Sequence, residues 1–408
     1  MTEMKERLKF KQIKLLHNDK KTIVTVFFAL NADTVGNAAR ISRYQWISTH
    51  YNLIVLTNHA SLLKDKINGK IIYVPYVGLP IISIYLFWLI CGIRLFFLKY
   101  DLLFLSFAEA PIAFFNFKKP FLCHIHQTHE ILMASEKYKD KSIKNIILLN
   151  IHNIYTFLII EGIKKADYSF VLSHQLIDFY AKKGVDKNRM EYLPNGANLK
   201  IFSETNQTSN NMMTIIPNNK FVMMYTGWVH EIRGLELMLS GTKEIIKIAS
   251  DVFLVIIGAD KEYIKKINMK LQEMNLSDNV IVMGRIDHAF IPSYLVKADV
   301  CLTFLEINET YCMCPPQKMY EYFAMGKPII ANRIPSHTDF ITDGVNGFII
   351  ELNVMEFKNA VLKLHDDKKL YELMSKNAKE TSKLYDLEKI NKKIGGKIDK
   401  LILNKNSP

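Results

Sequence analysis

Short, near-continuous runs of Ile, Val, Leu and Phe alternate along the chain with longer stretches in which apolar residues recur at helical spacing. Runs without polar alternation are how strands covered on both faces of a parallel sheet read. In the first half the predicted strands are 22–30, 52–57, 70–75, 101–107, 121–126, 168–173 and 190–194, with crossover helices such as 38–49 and 143–163 between them. The pattern breaks at the polar stretch 203–211 and then restarts. Strands are predicted at 221–226, 252–257, 280–283, 300–304 and 328–331, separated by helices at 235–248, 261–274, 291–297 and 317–325. A further amphipathic helix is predicted over 386–404.

Two βαβα runs joined by a polar segment imply an α/β protein of two Rossmann-like domains facing across a cleft. The expected layout is an N-terminal acceptor domain over 1–202, a linker over 203–219, a nucleotide-sugar donor domain over 220–385, and a helix over 386–408 packing back on the first domain. In such sheets ligands bind beyond the carboxyl ends of the strands, so the residues that matter follow strand ends.

Composition narrows the function classes. With 408 residues, 49% hydrophobic and 23% charged, the chain is globular and has room for two cores. A net charge of +13 favours an anionic partner: nucleic acid, an anionic membrane surface or a phosphate-bearing substrate. The lysines are dispersed and no recognition motif appears, so no nucleic acid is expected. Five cysteines make no disulfide framework, and Cys312 and Cys314 lack a second pair at zinc spacing. The N-terminal segment is not expected to be a signal peptide, because Lys5, Arg7, Lys9, Lys11 and Lys14 precede no long apolar core. The apolar stretch 79–98 reads as a buried helix between two strands, as a helix lying on a membrane surface, or as a span that is short for the purpose.

Candidate chemistry sits after the strands. Gly36 precedes a helix after the first strand and lets backbone approach a ligand. After the first strand of the second half come Gly227 and then Arg233-Gly234, which open a helix. A cation at a helix N-terminus is locally unfavourable without an anion, and a guanidinium fork suits a diphosphate. In the segment 314–328, Pro315 and Pro316 suit a first helical turn, with Lys318 and Glu321 on one face. Free backbone N–H groups with Lys318 would hold phosphates, and Glu321 one turn deeper would accept hydrogen bonds from a ribose. The alternative is an ordinary helical Lys–Glu pair. Three histidines, His124, His126 and His129, follow another strand end. They read as ligand contacts, as structural residues or as metal ligands, though their spacing suits no usual zinc site. No Asp-x-Asp occurs, so no metal is expected at a diphosphate.

These pieces resemble, in order, the retaining glycosyltransferases of family four, the GT-B group that includes bacterial polysaccharide and phosphatidylinositol mannosyltransferases. The resemblance is carried by Gly36 with Arg40, the run 193–197, Gly227 with Arg233-Gly234, Gly284-Arg285, Ala298-Asp299, Lys318 with Glu321 and Gly326-Lys327-Pro328, and 343–348. It implies a nucleotide-diphosphate sugar as co-substrate with no further cofactor, and a glycan or lipid-linked acceptor. It gives Glu321 the donor ribose, and Arg233 and Lys318 the diphosphate. It sets the nucleobase against Gly284 and Arg285 and gives His126 as the functional histidine; what meets the sugar hydroxyls stays open, with backbone amides from Cys314 to Gln317 as candidates. Retention through front-face transfer, cell-surface polysaccharide synthesis and a cytoplasmic place at the inner membrane face complete the expectation. One departure stands out: the family's first glutamate would stand at Met313, eight positions before Glu321, with Glu309 out of register. A nucleotide-sugar epimerase of the same fold and a non-catalytic sugar-nucleotide-binding subunit are the competing readings.

Overall fold

The computed structural model describes residues 20–29, 35–76, 82–116, 119–127, 142–203 and 215–406. The N-terminal segment 5–14 and most of the polar stretch 203–211 therefore lie outside the described residues. The chain divides into two compact units, Met1–Leu193 with Asn391–Pro408, and Pro194–Ile390. The division falls before the polar stretch read as a linker, not inside it.

In the first unit, seven strands form a parallel sheet in the order β3-β2-β1-β4-β5-β6-β7. They are β1 (Thr22–Phe27), β2 (Asn52–Thr57), β3 (Gly69–Tyr73), β4 (Leu102–Ser106), β5 (Phe121–Ile125), β6 (Tyr168–Val171) and β7 (Met190–Tyr192). β4 and β5 are buried at every position, which is why their sequences do not alternate. The crossovers carry α1 (Val35–His50), α2 (Ile82–Phe97), α3 (Ile143–Lys164) and α4 (His174–Lys182). Ser142 and Ser173 cap the last two helices by accepting from Asn145 N and Leu176 N. The strand expected over 101–107 ends at Ser106, and Phe107 opens a 3-10 helix that runs to Phe115 and contains Pro111.

The second unit holds a six-stranded parallel sheet in the order β10-β9-β8-β11-β12-β13. Its strands are β8 (Phe221–Thr226), β9 (Val252–Ile257), β10 (Val280–Met283), β11 (Val300–Thr303), β12 (Ile329–Asn332) and β13 (Gly347–Ile350). The helices are α5 (Leu235–Ile245), α6 (Lys261–Met274), α7 (Ile291–Val296), α8 (Glu309–Met313), α9 (Lys318–Ala324), α10 (Pro335–Thr338), α11 (Val354–Asp366) and α12 (Lys368–Ser382). Alternate residues of β8 feed two cores. Met223 and Tyr225 pack with Leu235, Met238, Leu239 and Phe357, while Val222 and Met224 pack with Tyr294, Met319 and Tyr320. Each such buried side chain contributes about 1.5–3 kcal/mol.

The last helix, α13 (Leu387–Asn406), belongs to the first unit from Asn391 onward. There it buries Ile394, Ile398 and Ile402 at one-turn spacing. Tyr51 donates to Asp399 Oδ1 at 2.9 Å, and Lys393 pairs with Glu191 at 2.7 Å.

In both sheets the strand order reverses beside the first strand, between β1 and β4 and between β8 and β11. Crossovers leave on opposite faces at such a point and open a crevice beyond the carboxyl ends. The site is built there.

Candidate functional site

In the second unit, β8 runs into Gly227 and β9 into Gly258. Gly227 N donates to Ile257 O at 2.9 Å. A Cβ on Gly258 would lie 2.2 Å from Gly227 O, so the two strand ends approach more closely than a side chain allows. Gly227 itself has φ of +118°, and the Lys318 ammonium stands 3.3 Å from where its Cβ would be. The bare backbone of Gly227 thus leaves room for Lys318.

Lys318 Nζ also lies 3.5 Å from the centroid of the Tyr225 ring. Burial, then the nearby Arg233, pulls its pKa well below the ordinary lysine range. Arg233 closes the 3-10 turn after β8. Its guanidinium carbon sits 4.6 Å over the Tyr311 ring and 5.8 Å from that of Trp228, and its buried Nε meets no hydrogen-bond partner. Among the described residues neither cation forms an ion pair. Glu321 acts on Lys318 from a distance without pairing, so two like charges beside aromatic faces keep room for an anion.

The positions of these parts are fixed from below. Tyr322, fully buried one turn after Lys318, joins its hydroxyl to Thr226 N at 2.9 Å and to Thr226 Oγ1 at 3.1 Å. Helix α9 and the end of β8 therefore move together. Glu321 is 5% exposed, and its Oε1 accepts from His288 Nε2 at 2.9 Å. That bond raises the His288 pKa against the opposing effect of burial. His337, fully buried, shares a hydrogen bond with Asn332 O through Nδ1, and burial lowers its pKa to about 4.

The structure gathers Gly227, Arg233, Lys318 and Glu321 at this switch point. Gly284 follows β10, and Arg285 beside it pairs with Asp260 at 3.0 Å. Gln317 donates from Nε2 to Gly196 O at 2.8 Å, while its Oε1 is buried without a partner. Met313 is buried and Glu309 exposed, so Glu309 does not substitute for a carboxylate at 313. The helix N-terminus expected to hold phosphates belongs to a short helix. Helix α9 starts at Lys318 and has only seven residues, too few for a strong macrodipole, and Pro315 and Pro316 precede it. The positive charge of the site comes from side chains. Tyr311, Tyr322 and His288 were not singled out in the sequence, because their roles rest on partners far away in the chain.

Gly36 and His126 lie in the first unit. Gly36 falls in the first turn of α1, and the loop 31–34 before it is outside the described residues. His126 follows β5, with its ring edge-on to Phe107 at 5.2 Å and stacked on His124 at 5.4 Å. Its Nδ1 is buried without a partner. Burial first, then Arg40 and Arg43, lowers its pKa to about 3, so the imidazole is neutral near pH 7. Arg43 contacts the His124 ring at 2.8 Å, and Arg40 pairs with buried Glu109 at 2.8 Å. His129 lies outside the described residues, and among those described no cluster of His, Cys, Asp or Glu offers three metal ligands.

Residues 209–381 match the family described as glycosyl transferases group 1. The chain is 19% identical over 228 residues to a lipopolysaccharide 1,2-N-acetylglucosaminetransferase of Salmonella typhimurium, covering 54% of this chain and 57% of that one. It is 27% identical over 265 residues to the UDP-Gal:alpha-D-GlcNAc-diphosphoundecaprenol alpha-1,3-galactosyltransferase of Escherichia coli, covering 63% of each. The match thus spans about three fifths of the length of these curated relatives. Among solved structures, Anabaena HepE in complex with UDP-glucose superposes with a TM-score of 0.69 at 14% identity, covering 93% of this chain and all of that one. The architecture, two parallel-sheet α/β domains, is that of the GT-B glycosyltransferases.

Proposed function

Because residues 209–381 match the group 1 glycosyl transferases, we propose that this protein transfers a sugar from a nucleoside-diphosphate sugar to a glycan or lipid-linked acceptor, with retention of anomeric configuration. The observation that carries the proposal is the pair Arg233 and Lys318, neither in an ion pair among the described residues, beside the Gly227 turn. The donor diphosphate lies against these two cations, and the ribose hydroxyls donate to Glu321. In the transfer the bond between the anomeric carbon and the diphosphate oxygen breaks. The acceptor oxygen bonds to the same carbon from the same face. The acceptor proton passes to the departing phosphate, whose new charge Arg233 and Lys318 stabilise without a metal. His126, neutral, serves as a hydrogen-bonding partner for the sugar or acceptor, and no further cofactor takes part. The names of the curated relatives, which act on lipopolysaccharide and on a diphosphoundecaprenol-linked sugar, support a place in cell-surface polysaccharide synthesis, and the proposed location is the inner face of the membrane.

Calorimetric titration with UDP and a panel of UDP-sugars tests the donor site. Glu321→Ala is expected to weaken donor affinity while the thermal transition stays in place; unchanged affinity refutes the ribose assignment. Turnover is expected to require an acceptor, and donor consumed without one points to the epimerase. EDTA is expected to leave transfer intact, and loss restored by manganese overturns the metal-free step.

A further inference from the structure

Helices α2 and α3 of the N-terminal unit present apolar side chains on the outside as well as the inside. Helix α2 buries Phe87, Cys91 and Leu95, yet Leu86, Leu89, Ile93, Phe96 and Phe97 form an exposed stripe along another face. Phe97 is 81% exposed. Helix α3 exposes Ile146, Ile147, Ile154 and Phe157 in the same way. The two helices meet through Tyr85, which donates to Ile151 O at 3.0 Å, and through Trp88, stacked on Tyr155 at 5.3 Å. Leu89 stands one turn from Tyr85, and Ile147 and Ile154 stand one turn either side of Ile151. The exposed stripes therefore border the seam and make one surface. A water-facing helix ordinarily carries polar residues there.

We propose that this α2–α3 face docks on an anionic lipid surface. Charge favours that occupant. Helix α2 and the turn after it hold no acidic residue before Asp101, while Arg94 and Lys99 are exposed beside Phe96 and Phe97. Helix α3 ends in exposed Lys164 and Lys165, and its one described acid, Glu161, pairs with Lys164 at 2.7 Å. Aromatic and aliphatic side chains fringed by cations suit shallow insertion among anionic headgroups. Pairing with a second copy through the same face would instead bring these cations together with almost no acid to meet them. Among the described residues α3 is long and apolar enough to cross a membrane, but its C-terminal end is held in the fold. Ile159, Ile160 and Ile163 are buried, and a Cβ on Gly162 would meet Ala110 backbone at 2.5 Å. The helix lies on the surface and does not span it. The proposal deepens the reading of a lipid-linked acceptor, yet it is tested without one.

The test is flotation of the full chain with vesicles of phosphatidylcholine alone and of phosphatidylcholine with phosphatidylglycerol. Binding is expected only with the anionic lipid and is expected to fall as salt rises. The double variant Leu89→Ser with Phe97→Ser, both exposed positions, is expected to bind at least tenfold more weakly, from about one buried apolar side chain's worth of transfer energy. Ile248→Ser, an exposed apolar position on the C-terminal unit, is expected to change nothing. UDP affinity, measured on each variant, shows that the fold is intact and separates failure of docking from failure of the donor reading. Three results overturn the proposal: no binding at low salt, binding that the double variant retains, or binding that resists both salt and carbonate. A dimer of the wild type that the double variant abolishes, with no flotation, assigns the face to a second copy and overturns it as well.

Discussion

Both units place an arginine just beyond their first strand, at equivalent switch points, and treat it in opposite ways. Arg40 on α1 pairs with buried Glu109, and it also bonds Val26 O and the Tyr44 hydroxyl. Burial works against its charge, but Glu109 and Tyr44 outweigh that and raise its pKa above the ordinary arginine value. Arg233 after β8 has only aromatic faces, and with it stands Lys318, whose charge the fold disfavours. A cation that already has its carboxylate serves the fold. A cation kept without one is a cost to the fold, and on the function proposed above the donor diphosphate is what offsets it. The same residue type at the same topological place thus does two kinds of work, and only the three-dimensional partner tells them apart.

The largest expected effect breaks the first half of that contrast. Glu109→Ala leaves Arg40 in the interior without its carboxylate and is expected to lower unfolding free energy by about 3–5 kcal/mol, read by denaturant titration. Adding Arg40→Met should restore much of the loss; a single variant that unfolds like wild type would show that the pair does not matter to the fold. In the second unit the expectation reverses. Arg233→Ala and Lys318→Ala are each expected to lower turnover by roughly two orders of magnitude, about what one contact to transition-state charge supplies, with little change in melting temperature. Lys318→Met goes further and should stabilise the protein. Its depressed pKa means that the charged form is disfavoured on folding, so the lysine costs stability at every pH below its unfolded value near 10.4. A gain of about 0.5–2 kcal/mol is the usual scale for relieving such a site. A lower melting temperature for Lys318→Met would contradict the claim that the site is held open at a cost.

The same distinction explains what the sequence made legible. Strands β2, β8, β9 and β10 end where expected, because each is an apolar run that stops at a glycine or a polar residue. Strand β1 stops at Phe27, short of Leu30, because its pairing with β2 ends at the Phe27–Thr57 register. Strand β13 has only four residues and begins on Gly347, so no run announced it. At the site, Lys318, Glu321 and Arg233 were readable because their order and spacing are local. The Tyr322 bond to Thr226 and the His288 bond to Glu321 were not, since each spans a long stretch of chain and depends on the strand order of the sheet. Arg40 and Arg233 looked alike in sequence for the same reason.

The finest contrast lies within the site of the second unit, between two cations in no ion pair and the carboxylate Glu321, which has a partner. Glu321 is engaged by His288, whose pKa that hydrogen bond raises above the usual 6.5. A group with a raised folded pKa gives its full stabilisation below the unfolded value and loses it as pH rises through the folded value. The wild type is therefore expected to be more stable than His288→Ala at pH 6, with the gap closing as pH rises beyond the neutral range. His288 has a side chain 42% exposed, so solvent screens the pair and its contribution is about 0.2–1 kcal/mol. Donor binding should show the reverse trend. A protonated His288 holds the lone pairs that a ribose needs, so UDP affinity should rise by a few-fold from pH 6 to pH 8.5 in the wild type, matching the small energy of that pair. In His288→Ala, where nothing competes for Glu321, affinity should change less over the same range. Parallel pH profiles in the two proteins would mean that the histidine and the nucleotide do not share the carboxylate, and that Glu321 meets the ribose through an oxygen His288 leaves free.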